Sequence, residues 1–269
     1  LIRDEIHKIV IGQDQIIDQI LIALLANGHI LIEGVPGVAK TLIAKSLAKT
    51  INTKFSRIQF TPDLMPTDVL GTSIFDTNQA KFTFKSGPIF SNFVLIDEIN
   101  RAPAKTQSAL FEVMEERQIT VDGTTYIMQQ PFIVIATQNP VEQEGTYRLP
   151  EAQLDRFLFK IVVDYPTIAQ EIELISLEHN LENQNKIEKL NAVITAQDII
   201  DFQNITKKVI VDKNLIEYIA KIVIETRENP LIYLGASPRA SIAILNAAKA
   251  NAVLRGRDFL TPDDIKDVV

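Results

Sequence analysis

The segment that most constrains the fold of this 269-residue chain is a glycine-bearing stretch between an apolar run and a helical pattern. The apolar run His29–Ile32 is typical of a short buried strand, and the spacing of apolar residues after the stretch predicts a helix through Thr50. A strand, a glycine loop and a helix in this order form a βα unit. The stretch itself is Gly34-Val35-Pro36-Gly37-Val38-Ala39-Lys40-Thr41.

Further short apolar runs are separated by helical patterns through the first 165 residues. This alternation predicts a three-layer α/β core around a mostly parallel, five-stranded sheet. Two stretches interrupt it, 73–84 and 118–128, and their turn signals between β-prone residues, Asp76-Thr77-Asn78 and Asp122-Gly123, predict inserted hairpins. The runs are Phe55–Phe60, Phe93–Ile96, Phe132–Ala136 and Phe159–Val163.

The pattern changes after Pro166, where helical periodicity replaces strand-like runs. We therefore expect an α/β core over residues 1–165 and a small all-helical lid domain over residues 166–269. Thr261 and Pro262 are typical of a helix start, and we expect this helix to continue past residue 269. The other predicted helices are Ile168–His179, Ala196–Thr206, Leu215–Arg227 and Arg239–Arg255.

The glycine-bearing stretch has the context of a phosphate-binding loop, because backbone N–H groups at a helix N-terminus bind phosphate oxygens. Lys40 would reach the β- and γ-phosphates, and the Thr41 hydroxyl would ligate Mg²⁺. Ala39 stands where glycine is usual, which is tolerable if the backbone keeps a negative φ. An incidental strand–turn–helix loop is the alternative. The predicted phosphate-binding residues are Gly34, Val35, Pro36, Gly37, Val38, Ala39, Lys40, Thr41 and Leu42.

Polar residues also follow two other predicted strands at their carboxyl ends, where open α/β sheets bind ligands. Asp97 and Glu98 follow one apolar run, and Asn139 follows the next. Asp97 would hold Mg²⁺ through water, and Glu98 would act as the general base on the attacking water. Asn139 would orient that water or sense the γ-phosphate, although a turn residue before proline is the alternative.

Arg156 and Arg239 are candidates to stabilise the charge on a transferring γ-phosphoryl group, a role that a guanidinium often plays from a neighbouring subunit. Surface ion pairing is the alternative for both, and Asp155 beside Arg156 favours it there. Spacing alone does not decide between these roles.

The amino-acid composition restricts the classes of partner and of site that we expect for this chain. The chain carries 27 Lys and Arg against 34 Asp and Glu, a net charge of −7, which disfavours nucleic acid and anionic membranes. The absence of cysteine excludes disulfides, thiolate catalysis and Cys-based zinc sites. The early apolar stretch Ile16–Ala26 is interrupted by Asp18 and Gln19 and is short for a bilayer, so we expect no signal peptide or membrane span. We expect a cytoplasmic protein with protein partners.

These motifs, in this order, resemble the MoxR family of AAA+ ATPases. The resemblance spans nearly the whole chain, and Ala39 fits it, since alanine before the lysine is common in that family. It implies a Walker B pair, two sensors, an arginine finger and an adenine contact. The motifs are GVPGVAKT, FVLIDEINRAP, IATQNPVEQEGTYRLPEAQLDRF and LGASPRA.

The resemblance assigns these roles to particular residues of the sequence. Arg148 stands where such proteins usually have proline and supplies a second candidate finger beside Arg156. The implied residues are Val10, Ile11, Gly12 and Gln13 near the adenine, Asp97 and Glu98 as Walker B, Asn139 as sensor 1, Arg239 as sensor 2 and Arg156 as the finger.

The resemblance further implies a ring, expected to be a hexamer, that hydrolyses ATP with Mg²⁺. Such proteins remodel, mature or assemble a client protein complex, often with a partner carrying a von Willebrand factor A domain. The hairpins resemble client-facing insertions, which makes 76–81 and 122–126 candidate contacts. The alternatives are a motor for metal chelation or nucleic-acid cutting, a nucleotide-dependent scaffold, and a metabolic kinase, which would have no use for the lid.

Overall fold

The computed structural model describes residues 1–34, 40–77, 80–139, 147, 149–163, 165–180 and 186–269. At its centre lies a five-stranded sheet whose neighbouring strands all pair in parallel. Its strands are β1 (Ile30–Gly34), β2 (Phe55–Gln59), β5 (Phe93–Asp97), β8 (Ile133–Gln138) and β9 (Phe159–Val163). They lie in the order β2, β5, β8, β1, β9, so the predicted parallel sheet is confirmed.

Two antiparallel hairpins stand outside this sheet. One consists of β3 (Gly71–Asp76) and β4 (Lys81–Ser86), and the other of β6 (Gln118–Val121) and β7 (Thr124–Ile127). The rings of Phe84 and Tyr126 stack between them with centroids 4.3 Å apart. Both predicted hairpins are confirmed, although the predicted turn residue Asn78 lies outside the described residues.

Helices cover both faces of the sheet, because the buried strands send alternate side chains to opposite sides. These helices are α1 (Ile2–Ile6), α2 (Asp14–Leu25), α3 (Lys40–Thr50), α4 (Pro66–Leu70), α5 (Ala104–Glu116) and α6 (Glu151–Leu154). Ile30 and Ile32 of β1 pack in the core formed with α1, α2 and α3, whereas Leu31 packs in the core formed with α5. The core is therefore a three-layer α/β unit.

The part of the chain after residue 165 is built from the remaining helices, of which the last three share an apolar core that includes Ile219, Ala248 and Ile265. The helix start predicted at Thr261 is confirmed, since Thr261 N donates to Asp264 Oδ2 at 2.9 Å, but the expected continuation past residue 269 is wrong, because the helix ends at Lys266. A domain boundary near residue 165 stays a prediction. These helices are α7 (Ile168–Asn180), α8 (Ala196–Lys207), α9 (Lys213–Glu228), α10 (Pro238–Leu254) and α11 (Pro262–Lys266).

The helical region rests on the end of α2. Ile22 and Leu25 pack against Ala247 and Ala250 of α10, and Gln203 Nε2 donates to Leu24 O at 2.7 Å. Because α2 ends just before β1 begins, the helical region lies beside the edge of the sheet where β1 and β9 start.

His29 is buried at this amino-terminal edge of the sheet, where its ring makes two hydrogen bonds. Its Nε2 lies 3.0 Å from Met114 O, and its Nδ1 accepts a hydrogen bond from Val134 N at 2.9 Å. A neutral ring with the proton on Nε2 satisfies both contacts. Complete burial, assisted by the nearby Arg117 charge, lowers the pKa of His29 from 6.5 to about 3.

This burial predicts a stability that depends on pH. Between pH 6.5 and about 3, the unfolded chain binds a proton that folded His29 does not, so the free energy of unfolding falls as pH is lowered through this window. The contribution lost by pH 5 is about 2 kcal/mol. When unfolding by denaturant is measured at pH 7 and at pH 5, the free energy of unfolding should fall less in His29→Gln than in the natural protein, by about 2 kcal/mol. The exposed control His7→Gln should keep the full loss, and an equal loss in His29→Gln would contradict the expectation.

Candidate nucleotide site

The carboxyl edge of the sheet gathers the predicted phosphate-binding and acidic residues. Lys40 begins α3, and its Nζ donates to Gly34 O, the end of β1, at 2.7 Å. Burial lowers the pKa of Lys40, while the nearby carboxylates of Asp97 and Glu98 act in the opposite direction. The structure therefore places this lysine within electrostatic reach of both acids. Thr41 and Leu42 follow on α3, whereas Val35, Pro36, Gly37, Val38 and Ala39 lie outside the described residues.

Asp97 ends β5 as a buried carboxylate with two partners. Its Oδ2 accepts from Arg57 Nε at 2.5 Å, and its Oδ1 accepts from Thr137 Oγ1 at 3.2 Å. Arg57 lies on β2 and Thr137 on β8, the two strands that flank β5. The carboxylate is thus fixed in direction by neighbours on both sides.

Glu98 takes an unusual backbone conformation directly after β5. Its φ of 56° and ψ of 52° are left-handed, a strained choice for a residue other than glycine and one that clusters at functional sites. Its N–H donates to Thr137 Oγ1 at 3.1 Å, and its Oε2 accepts from Gln59 Nε2 and Arg101 Nη1, each at 2.8 Å. These bonds orient the carboxylate as a base would require.

Gln59 and Thr137 were not predicted as site residues, although the rule that identified Asp97 applies to both. That rule selects polar residues at the carboxyl ends of the strands. Gln59 ends β2, and Thr137 lies next to last in β8, so both lie at the same edge. Asn139 directly follows β8 and is half-buried, which places it at this edge as well.

The residues at this edge fit a magnesium ion bound together with phosphates. Within the described ranges, no group of three or more His, Cys, Asp or Glu side chains could hold a metal alone. Mg²⁺ in nucleotide sites needs only one or two protein oxygens, since water and phosphate supply the rest. Asp97 and the Thr41 hydroxyl are the protein oxygens that the sequence nominates.

A cleft of about 190 Å³ lies beside the predicted adenine contact. Gly12 lines it with a φ of +68°, and Gln170 Nε2 donates to Gly12 O at 3.3 Å. This positive φ favours glycine, and a Cβ on residue 12 would also displace the flexible Gln170 side chain, whose Nε2 would lie 2.4 Å away. Tyr165, which the sequence analysis also missed, lines the cleft from the segment before α7.

Arg156 lies at the opposite edge of the sheet. It precedes β9, whose Phe159 pairs with Ile30 at the start of β1. Gly34 ends β1 four residues farther on, a distance of roughly 13 Å at about 3.3 Å per residue. The Arg156 guanidinium contacts Glu115 and donates to Phe111 O at 3.3 Å.

Arg239 meets Arg156 at this opposite edge. Its Nη2 donates to Glu115 Oε1 at 2.8 Å, so one carboxylate accepts from both arginines. The structure thus brings the two candidate guanidinium groups together, but against α5 and away from Lys40 and Asp97. Arg148, the other candidate, lies outside the described residues.

Comparison with known proteins decides the family. The family model described as "ATPase family associated with various cellular activities (AAA)" matches residues 29–159, and the AAA lid domain model matches residues 224–269. The chain is 46% identical over 274 residues to Chaperone MoxR1 of Mycobacterium tuberculosis, covering 98% of this chain and 71% of that protein. The chain belongs to the MoxR family of AAA+ ATPases.

Two other comparisons agree with this assignment. This MoxR-family chain is 51% identical over 263 residues to the uncharacterized protein YeaC of Bacillus subtilis, covering 98% of this chain and 81% of that protein. A crystal structure from Cytophaga hutchinsonii, named as a candidate ATPase, matches with a TM-score of 0.90 and 46% identity over 99% of this chain and 83% of that one. The predicted family, fold class and P-loop ATPase class are confirmed.

In the part of the chain that the structure describes, no helix is both long and apolar enough to cross a bilayer.

Proposed function

We propose that this MoxR-family chain hydrolyses ATP in a ring, at sites that a neighbouring subunit completes, and uses the energy to remodel a client protein complex. One observation carries the proposal. Lys40 begins α3 at the carboxyl edge of the sheet, within electrostatic reach of Asp97 and Glu98, whereas Arg156 and Arg239 both pair with Glu115 near the opposite edge.

Each residue at the carboxyl edge has one task in this proposal. Lys40 and the loop Gly34–Leu42 bind the phosphates. Thr41 and Asp97 would hold Mg²⁺, which would neutralise phosphate charge. Glu98, oriented by Gln59, accepts the proton of the attacking water, and Asn139 orients that water.

Arg156 and Arg239 act on another subunit's nucleotide because the nucleotide site of their own subunit lies at the opposite edge of the sheet. An arginine side chain spans roughly half of the 13 Å or so that separate the two ends of β1. Both side chains are partly exposed, Arg239 by 56% and Arg156 by 29%, so a neighbour can reach them. A closed ring repeats this contact at every subunit, and a hexamer is the state we propose.

The client role is supported by the name of a relative and by surface chemistry. The relative from Mycobacterium tuberculosis bears the name Chaperone MoxR1. The β3–β4 hairpin exposes Ile74, Phe75 and Phe82, with Phe75 and Phe82 in edge contact at 5.3 Å. Exposed aromatic groups of this kind suit transient contact with a client. A von Willebrand factor A domain adaptor and a cytoplasmic location complete the proposal.

Turnover per subunit tests the proposal as the protein concentration is varied. We expect turnover to rise steeply over the range in which light scattering detects assembly, since a lone chain lacks the guanidinium contribution. Turnover that stays constant from monomer to ring would contradict completion by a neighbour. A nucleotide-dependent scaffold, the main alternative, would show assembly without turnover.

A further inference from the structure

We propose that Glu115 is a positioning residue that sets the geometry of Arg156 and Arg239 before they act on the neighbouring subunit's nucleotide. This inference rests on the proposed function. It assigns a role to a side chain that neither binds nucleotide nor belongs to the family motifs described above.

The Glu115 carboxylate is shared between Arg156 and Arg239. Glu115 lies near the end of α5, with Oε2 against Arg156 Nη1 and Oε1 accepting from Arg239 Nη2 at 2.8 Å. Arg156 comes from the α/β core and Arg239 from the helical region, 124 positions along the chain from Glu115. Charge-assisted bonds to a fixed helix position confine both guanidinium groups to one orientation.

A second contact supports the same alignment through the neighbours of both arginines. Ser237 Oγ donates to the Asp155 carboxylate, at 2.8 Å to Oδ1 and 3.0 Å to Oδ2. The same oxygen accepts from Arg239 N at 3.1 Å and so caps α10. Each arginine thus lies beside a residue that joins the core to the helical region. The distance between the two guanidinium groups is therefore set at two points.

The charges explain why a carboxylate is needed at this place. Two guanidinium groups that approach each other repel, and Glu115 offsets one of their two positive charges. Taken together, Arg156, Arg239 and Glu115 keep one positive charge, and the Arg239 side chain is 56% exposed to an incoming phosphate. A neutral amide at position 115 would keep the shape but would hold neither arginine by charge.

The consequence concerns turnover and not nucleotide affinity. Arginines that act on the transition state lower the barrier, while ATP binds to Lys40 and its loop on the other subunit. Misplacing a catalytic group by about 1 Å costs up to about 100-fold in rate. Loss of Glu115 should therefore lower kcat and leave the ATP concentration at half-maximal rate unchanged.

The test mixes subunits that carry complementary defects. Arg156→Ala subunits bind ATP but lack the finger, and Lys40→Ala subunits lack ATP binding but supply both arginines. We expect the mixture to regain turnover, and Lys40→Ala subunits that also carry Glu115→Gln to restore at least about tenfold less. The half-saturating ATP concentration should not move. Glu112→Gln in the same subunits is the matched control, since this exposed glutamate lies one turn earlier on α5 and should leave restoration complete.

The outcomes separate the two proposals. Full restoration by the Glu115→Gln subunits would overturn the positioning role and leave completion by a neighbour intact. No restoration by Lys40→Ala subunits alone would overturn the proposed function and this inference with it. Loss of co-assembly in the Glu115→Gln mixture, detected by light scattering, would assign Glu115 to assembly and also overturn the positioning role.

Discussion

Replacing Arg156 by alanine is expected to lower ATP turnover by about 10³-fold or more, because a guanidinium that stabilises charge on the γ-phosphoryl group contributes on the order of 10³–10⁵ in rate. ATP affinity should change little, since Arg156 lies at the opposite edge of its own sheet from Lys40. Steady-state turnover and equilibrium binding of a fluorescent ATP analogue measure the two quantities separately.

Arg255→Ala is the matched control for this variant. Arg255 is a partly exposed arginine that pairs with Asp267 at 2.5 Å, and an ion pair of this kind contributes little to stability. Its loss should leave turnover within about twofold of the natural protein. If Arg156→Ala also kept its turnover, the finger would have to be Arg148 or Arg239.

Replacing Glu98 by glutamine is expected to remove about 10²–10⁴ of the turnover while ATP stays bound. The amide keeps an oxygen that can accept from Gln59 and Arg101, so the backbone and the phosphate contacts should survive. It cannot accept the proton of the attacking water. The ring should therefore hold unhydrolysed ATP, which chromatography of the bound nucleotide would detect as ATP in place of ADP.

Glu116→Gln is the control for Glu98→Gln, because Glu116 is an exposed glutamate at the end of α5, outside the nucleotide site. It should turn over ATP like the natural protein. Normal turnover in Glu98→Gln would show that another group acts as the base. Loss of bound nucleotide in that variant would assign Glu98 to binding. A client that the ATP-loaded Glu98→Gln ring retains, and releases without nucleotide, would support the remodelling role.

The sequence predicted those parts of the fold that depend on local pattern. Each strand of the sheet lies within two residues of its predicted range, and the central strands β1, β5 and β8 are apolar runs of the kind that buried parallel strands form. The hairpins followed from turn residues such as Asp122-Gly123, where φ is positive at both positions. Asp97 and Glu98 were identifiable because strand ends meet at one edge of a parallel sheet.

The missed features depend on distances that no local pattern contains. Gln59 and Glu98 are 39 positions apart, and the bond between them requires β2 to lie beside β5. Glu115 was not identified from the sequence, because its proposed role depends on contacts with two arginines from distant segments of the chain. Sequence motifs alone also left open whether Arg239 acts within its own chain. The placement of the helical region against α2 and Glu115 supplies the geometric argument for action on a neighbour.

The measurement that tests the central claim most directly is turnover by Arg156→Ala and Lys40→Ala subunits mixed in varied ratio at constant total concentration. Each variant alone should be nearly inactive. If neighbouring subunits complete each other's sites, turnover should pass through a maximum at intermediate ratios, because intact pairs then form between a subunit that binds ATP and one that supplies the arginines. Turnover that follows a straight line between the two nearly inactive proteins would contradict the account.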